Sequence, residues 1–214
     1  MIKKKNIKIP QKLRDIIHGY IMSDGYVNEK GVLTVEQSNK QEKFVEWLYA
    51  ELAPVRTDHP IQDVTHRGSK RNSYSKRFFS RRVLVGFHKM WYKPYTNDKG
   101  VKAFKKHLPK SINCFFNSTF ITLWFAGDGT KIIGSKGAKF EVTSLTAYER
   151  QKLKALFKKK FNIEVKINKA GFSRTGNQQW TLNINAPEYQ KLRTLITKID
   201  LIESYFPHKL HRDS

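Results

Sequence analysis

The chain has 214 residues, 39% of them hydrophobic, and 41 Lys and Arg against 18 Asp and Glu give a formal charge of +23. That length and apolar content fit a soluble globular protein of one large domain or two small ones. A charge excess that costs self-repulsion and that folding does not require points first to a polyanionic partner, with a solvated lysine-rich surface as the plain alternative.

Cys114 is the only cysteine, which excludes an internal disulfide and a cysteine-based zinc site and fits an intracellular, reducing setting, either an organelle or a prokaryotic cytoplasm. No segment has signal-peptide or transmembrane length, and no basic amphipathic anchor suggests a membrane.

Residues 1–10, "MIKKKNIKIP", read as a basic arm. Residues 11–23 place Leu13, Ile16, Ile17, Tyr20 and Ile21 at helical spacing behind Pro10, which predicts a helix running up to Asp24. "YVNEKGVLTVEQS" reads as a hairpin turning at Asn28 to Gly31, and "NKQEKFVEWLYAEL" as a helix with Phe44, Trp47, Leu48 and Leu52 on one stripe. "SYSKRFFSRRVLVGF" is expected as a long strand or ribbon, followed by a short helix around "LVGFHKMWY".

The same order then recurs. "FNSTFITLWFAGDG" reads as a helix ending in Asp128 and Gly129, "TKIIGSKGAKFEVTS" as a hairpin with Gly134 and Gly137 at its turn, and "TAYERQKLKALFKKKF" as a helix. Two strands in "IEVKINKAGFSRTGNQQWTLNIN" and a helix in "PEYQKLRTLITKI" complete the second set. Asp128 follows Asp24 by 104 residues (128 − 24), a spacing that marks a duplicated domain and not a solenoid unit of ~20–50 residues. The expected class is α+β, built from two αββαββα repeats at 11–93 and 119–214 with 94–118 as linker.

An aspartate in the last turn of a helix faces the negative end of the helix dipole, at a cost on the order of 0.3–1 kcal/mol unless something positive compensates. Gly25 and Gly129 suit a left-handed C-cap, which leaves each aspartate among helix carbonyls without helical partners. Carboxylate and carbonyl oxygens together describe a hard-cation site, magnesium before zinc. One Asp-Gly pair is an ordinary turn; two, at equivalent places of a repeat in a basic protein, are a constellation.

At these residues the chain resembles the LAGLIDADG homing endonucleases in their single-chain, two-repeat form. "IHGYIMSDG" (Ile17–Gly25) and "ITLWFAGDG" (Ile121–Gly129) align with the nine-residue family motif, loosely at most positions and firmly at the final Asp-Gly. The resemblance covers the chain from about residue 10. It implies motif helices packed at a central pseudo-twofold and antiparallel sheets forming a DNA-binding saddle. Gly19 and Ser23 supply small residues for such packing, as do Ala126 and Gly127, whereas Leu123 departs from the family's small residue.

The family's activity, carried over, is a double-strand break with short 3′ overhangs in a long, weakly symmetric DNA target. Asp24 and Asp128 are the implied catalytic and metal-binding carboxylates, with the carbonyl region of Gly25 and Gly129 beside them. Two or three Mg2+ ions are implied, with Mn2+ or Ca2+ as substitutes; such ions activate water and stabilise the attacking and leaving oxygens at phosphorus. Similarity to the family's lysine-proline pattern after each repeat adds Lys106 in "KKHLP", beside Lys105, and Lys209 in "PHKLH" as active-site lysines.

Strand alternation supplies the DNA face. "AKFEVT", "VKINK" and "QQWTLNI" separate apolar residues from Lys139, Lys166, Asn168, Gln179, Thr181 and Asn183, whose donors and acceptors suit base edges, as they also suit water. The ribbon at 65–82 carries Arg67, Lys70, Arg71, Lys76, Arg77, Arg81 and Arg82, with His66 as a further cation, and is expected to contact phosphates. The expected partner is double-stranded DNA bound by a monomer. Rival readings on the same scaffold are an intron RNA maturase and a non-catalytic DNA-binding regulator; the two aspartates argue against a purely RNA-binding role and against the regulator, and leave RNA binding open as a second activity. His18, inside the first motif, reads as a packed or capping histidine.

Overall fold

Helix α1 (Gln11–Met22) opens the part of the chain that the computed structural model describes, residues 8–68 and 72–211. It starts behind Pro10 without a side-chain cap and ends at Met22, two residues short of the expected Asp24. Strands β1 (Tyr26–Val27) and β2 (Leu33–Ser38) form the hairpin, turned by Gly31 at φ +76°. Helix α2 (Glu42–Glu51) and strands β3 (Gln62–His66) and β4 (Ser73–Phe79) follow, then helix α3 (Val85–Trp91). The sheet is antiparallel in the order β1-β2-β4-β3.

The long strand expected through residue 87 stops at Phe79. Ser80 ends it: its Oγ accepts the N–H of Leu33 at 2.8 Å while its own N–H donates to the Leu33 carbonyl at 2.9 Å. A side chain thus replaces the next rung of the ladder, and the chain turns into α3. The core of this repeat is largely aliphatic, with Ile16, Ile17, Leu33, Val35, Val45 and Leu48 around Phe44 and Phe78.

The chain divides into two compact units, Met1–Lys89 and Met90–Ser214. Most of an antiparallel hairpin, β5 (Tyr92–Thr96) with β6 (Lys102–Lys106), occupies the first part of the segment expected as linker. The second αββαββα set is helix α4 (Ser118–Asp128), strands β7 (Gly129–Lys131) and β8 (Ala138–Glu141), helix α5 (Ala147–Phe161), strands β9 (Lys166–Phe172) and β10 (Gln178–Ile184), and helix α6 (Ala186–Ile196). Its sheet has the same order, β7-β8-β10-β9, and a short helix, α7 (Ile202–Tyr205), precedes the last described turn.

Local chemistry sets these boundaries. Asn117 caps α4 by accepting the Phe120 N–H, and Thr146 with Glu149 forms a reciprocal capping box on α5. Asn162 closes α5 in the left-handed region, and Lys158, Lys159 and Lys160 complement the dipole there. The core of the second repeat is aromatic: Trp124, Phe140 and Phe157 stack with centroids 4.3–6.2 Å apart, and Phe116, Phe120 and Phe125 surround them.

Candidate active site and nucleic-acid face

Gly25 and Gly129 do not adopt the expected left-handed conformation; Gly129 sits at φ −81°, ψ 147°, and Gly25 is not among the glycines with positive φ. Glycine is required for closeness. A Cβ at Gly25 would lie 2.7 Å from the Tyr20 ring and 2.9 Å from its carbonyl oxygen, and one at Gly129 2.2 Å from the Phe125 ring. Each motif helix therefore runs into its first strand by folding back on the aromatic residue about one turn earlier, with the aspartate at that bend.

The first half-site centres on Asp24, which is exposed. Gln37 of β2 donates from Nε2 to Asp24 Oδ2 at 2.9 Å and reaches the Tyr20 hydroxyl at 3.4 Å. Tyr20 is buried in α1, and its hydroxyl also accepts the Glu36 N–H at 3.3 Å. Burial, then the nearby Asp24 carboxylate, pushes the Tyr20 phenol well above its ordinary range, so it stays neutral. Gln37 was not legible as a site residue; its signal is only that it follows the buried Val35 on the same strand face.

In the second half-site Asp128 ends α4 and is half-buried. Lys209 supplies the positive charge that the helix terminus calls for: its Nζ donates to the carbonyls of Phe125, Ala126 and Gly127 at 3.3, 2.6 and 2.9 Å. The carbonyl oxygens expected to flank a cation are here satisfied by an ammonium. Lys106 is half-buried at the end of β6, opposite Tyr92, and Lys105 is opposite Lys93. Both candidate lysines belong to the unit Met90–Ser214.

His18 is 1% exposed and packs on Phe87 with ring centroids 4.6 Å apart. Burial first, and Arg14 second, lowers its pKa to about 3, so it is a neutral core residue. At the aligned position of α4, Thr122 donates its hydroxyl to the Ser118 carbonyl at 2.8 Å.

On the second sheet the register confirms one polar face. Lys139, Asn183 and Lys166 lie side by side across β8, β10 and β9, and Glu141, Thr181 and Asn168 form the next row. Thr181 shares that face but is only 4% exposed, because it sits in the central strand beneath its neighbours. Gln179 falls at a bulge between β10 and β9. Lys139 and Lys166 have no ion-pair partner among the described residues.

The first sheet is different. Arg77 donates from Nε to Glu36 Oε2 at 2.7 Å, and Ser75 Oγ and His66 Nε2 contact Glu36 Oε1 at 2.5 and 2.6 Å. Burial alone would raise the Glu36 carboxyl, but the hydrogen bonds from Arg77, Ser75 and His66 outweigh it and bring its pKa to about 2. Lys76, next to Arg77 in an alternating strand, points to the other face and pairs with Glu42 and Asp63 at 2.7 and 2.9 Å. It is thus placed away from the face that carries Arg77. Arg81 donates to the Pro54 carbonyl at 2.9 Å beyond the end of β4, and Arg67 is exposed after β3. Lys70 and Arg71 lie outside the described residues.

Comparisons with known proteins agree with this frame. The model of the LAGLIDADG DNA endonuclease family matches residues 14–192. The chain belongs to that family. A cytochrome b mRNA maturase, bI2 of Saccharomyces cerevisiae, is 25% identical over 168 residues, which cover 75% of this chain but 39% of the maturase. Among solved structures, the homing endonuclease I-WcaI bound to its DNA recognition sequence superposes with a TM-score of 0.78 at 16% identity, covering 99% of this chain and 91% of that one. I-DmoI, in complex with its nicked target DNA in the presence of manganese, gives 0.51 at 14% identity, covering 91% and 98%. The fold is that of a two-repeat LAGLIDADG protein. No helix among the described residues is long and apolar enough to cross a membrane.

Proposed function

We propose that this chain is a homing endonuclease that binds one long, weakly symmetric double-stranded DNA site as a monomer and hydrolyses both strands, leaving short 3′ overhangs. The observation that carries the reading is the repeated Asp-Gly at the end of a buried motif helix, held in both repeats by a close glycine approach. Family membership supports it, as do the polar sheet face and the +23 charge.

The donor set fits a divalent ion. Among the described residues no group of three or more His, Cys, Asp or Glu could hold a metal alone; a lone carboxylate per repeat suits a hard cation such as Mg2+, which completes its shell with water and substrate phosphate. When bound, such an ion would lower the pKa of water and offset charge at the phosphorus. Asp24 and Asp128 would supply the anionic oxygens. Gln37 orients Asp24 by fixing one of its oxygens, which directs the other toward a ligand. Lys209 fixes the end of α4, and with Lys106 would offset negative charge developing on the scissile phosphate. Lys139, Lys166 and Asn168 would meet DNA from the second sheet, with Asn183 between the two lysines.

Cleavage of a randomised duplex library with Mg2+, followed by sequencing of the cut sites, tests this. One recovered long site cut on both strands is the expected result. Asp24→Asn and Asp128→Asn should each abolish double-strand cleavage while DNA binding persists, and a fully active double variant would overturn the assignment. Chelation of the metal should act the same way. The likeness to bI2 favours a second reading, intron RNA maturation on the same scaffold; splicing assistance that survives both aspartate substitutions would support it.

A further inference from the structure

A cavity of about 580 Å³ lies within the second unit, with Lys106 in its lining. The β5–β6 hairpin and the loop after it form one wall, and the start of α5 forms the other. Its size falls within the range of about 300–1,000 Å³ usual for ligand pockets.

Its charge is one-sided. Lys93 and Lys105 are direct cross-strand partners and both line the cavity, as does Lys110. Like charges placed opposite each other on a hairpin are unfavourable, and none of these three has an ion-pair partner among the described residues. Lys152, also in the lining, donates to the carbonyls of Pro109 and Lys110 at 3.4 and 3.1 Å. The single carboxylate in the lining, Glu149, is committed: it accepts the N–H of Leu108 at 2.6 Å and the N–H and hydroxyl of Thr146 at 2.8 and 2.9 Å. The folded hairpin therefore holds a net cationic cluster, with Glu149 as the one anionic group in the lining, around an open volume.

One further lining residue defines what the cavity suits. Tyr148, in the first turn of α5, is 77% exposed and lines the cavity. An exposed ring beside clustered lysines is a stacking platform next to a phosphate site. Bases inside a duplex are already stacked on their neighbours and cannot use it; an unpaired base can.

We propose that this cavity binds an unpaired nucleotide of a polynucleotide strand, its phosphate against Lys93, Lys105 and Lys110 and its base on Tyr148. Lys106 lines the cavity as well, but Lys93, Lys110 and Tyr148 are not among the residues assigned to duplex recognition or cleavage, and the proposal does not depend on the endonuclease reading. The strand can be RNA or single-stranded DNA, since the recognised groups are common to both.

The test uses the full chain and fluorescence anisotropy with three labelled probes at one salt concentration: single-stranded RNA, single-stranded DNA of the same sequence, and the duplex. Tyr148→Ala should weaken single-strand binding about 5- to 150-fold, because stacking on an aromatic ring is worth ~1–3 kcal/mol per base. Tyr148→Trp should restore it, which a merely folding-related effect would not allow. Lys93→Gln with Lys110→Gln should weaken single-strand binding and flatten its salt dependence by about 0.7 per lost phosphate contact. Duplex affinity should be unchanged in all of these. A stronger effect on RNA than on DNA identifies RNA as the source, and equal effects identify any unpaired strand. Single-strand affinity indifferent to Tyr148, or duplex affinity falling in parallel, would overturn the proposal. Failure of the endonuclease reading would appear instead as absent duplex cleavage with single-strand binding intact.

Discussion

The two repeats share an element order and a sheet order, yet they hold their motif aspartates differently. In the first, a side chain of the neighbouring strand, Gln37, reaches the carboxylate itself. In the second, Lys209 binds the helix carbonyls just before the carboxylate. The sheets differ in the same spirit: Glu36 neutralises Arg77 and engages His66 on the first, while Lys139 and Lys166 flank Asn183 on the second with no ion-pair partner among the described residues. A duplicated topology has been filled by two chemistries, so each half can be perturbed without an automatic counterpart in the other.

The largest expected difference is in packing. Trp124 and Tyr20 occupy the same motif position, but Trp124 lies in an aromatic cluster with its Nε1 buried and without a hydrogen-bond partner among the described residues, whereas Tyr20 hydrogen-bonds through its hydroxyl. Trp124→Ala should cost about 3–5 kcal/mol in urea unfolding, and Tyr20→Phe only about 0.5–1.5 kcal/mol. Equal losses would show that the two motif helices are supported alike. Next comes the helix end: Lys209→Met should cost about 1.5–3 kcal/mol by removing hydrogen bonds from a charged donor, with the same assay comparing it to the milder Gln37→Leu.

The third contrast is in pH. His18 charges readily when unfolded and resists charging when folded, so between pH about 6.5 and about 3 the unfolded chain binds more protons and stability falls as the pH falls. His18→Thr, the residue of the second motif, should remove up to about 1.4 kcal/mol per pH unit of that slope. An unchanged slope in pH-dependent unfolding would mean that His18 is not the titrating group.

The smallest effect concerns the sheets. Glu36→Gln should release Arg77, raising duplex affinity at low salt and steepening the salt dependence by about 0.9. Its stability cost at neutral pH should shrink as pH falls from about 4.5 toward about 2, because a carboxylate with a lowered pKa loses its contribution only as it becomes protonated. A salt slope identical to the parent would show that Arg77 already meets phosphate in the bound state.

The repeat, both motif helices and the two polar rows of the second sheet were legible in the sequence, because each rests on a local period or a short-range turn. The termination of β4 was not, since a serine hydroxyl standing in for a backbone carbonyl leaves no mark in a β-rich run. The need for glycine at positions 25 and 129 is hidden from the sequence for a related reason. Asp-Gly signals a change of direction, and only the position of the Tyr20 and Phe125 rings reveals that space, not dihedral angle, demands the glycine. Lys76 and Arg77 look equivalent in a basic ribbon; alternation sends one to acidic partners and the other to the opposite face. Gln37 was missed because nothing along the chain links a strand glutamine to an aspartate in the preceding helix turn.

The Lys209 contact also dictates a timetable. Asp24 meets its partner 13 residues downstream, so that half can form as soon as the first hairpin emerges. The carbonyls before Asp128 wait for a donor 82–84 residues further on, and closing a loop of that length is slow compared with a local contact. During synthesis the partner of Asp24 is therefore made long before the donor that closes the second motif, so the first contact can form while the second must wait for the end of the chain.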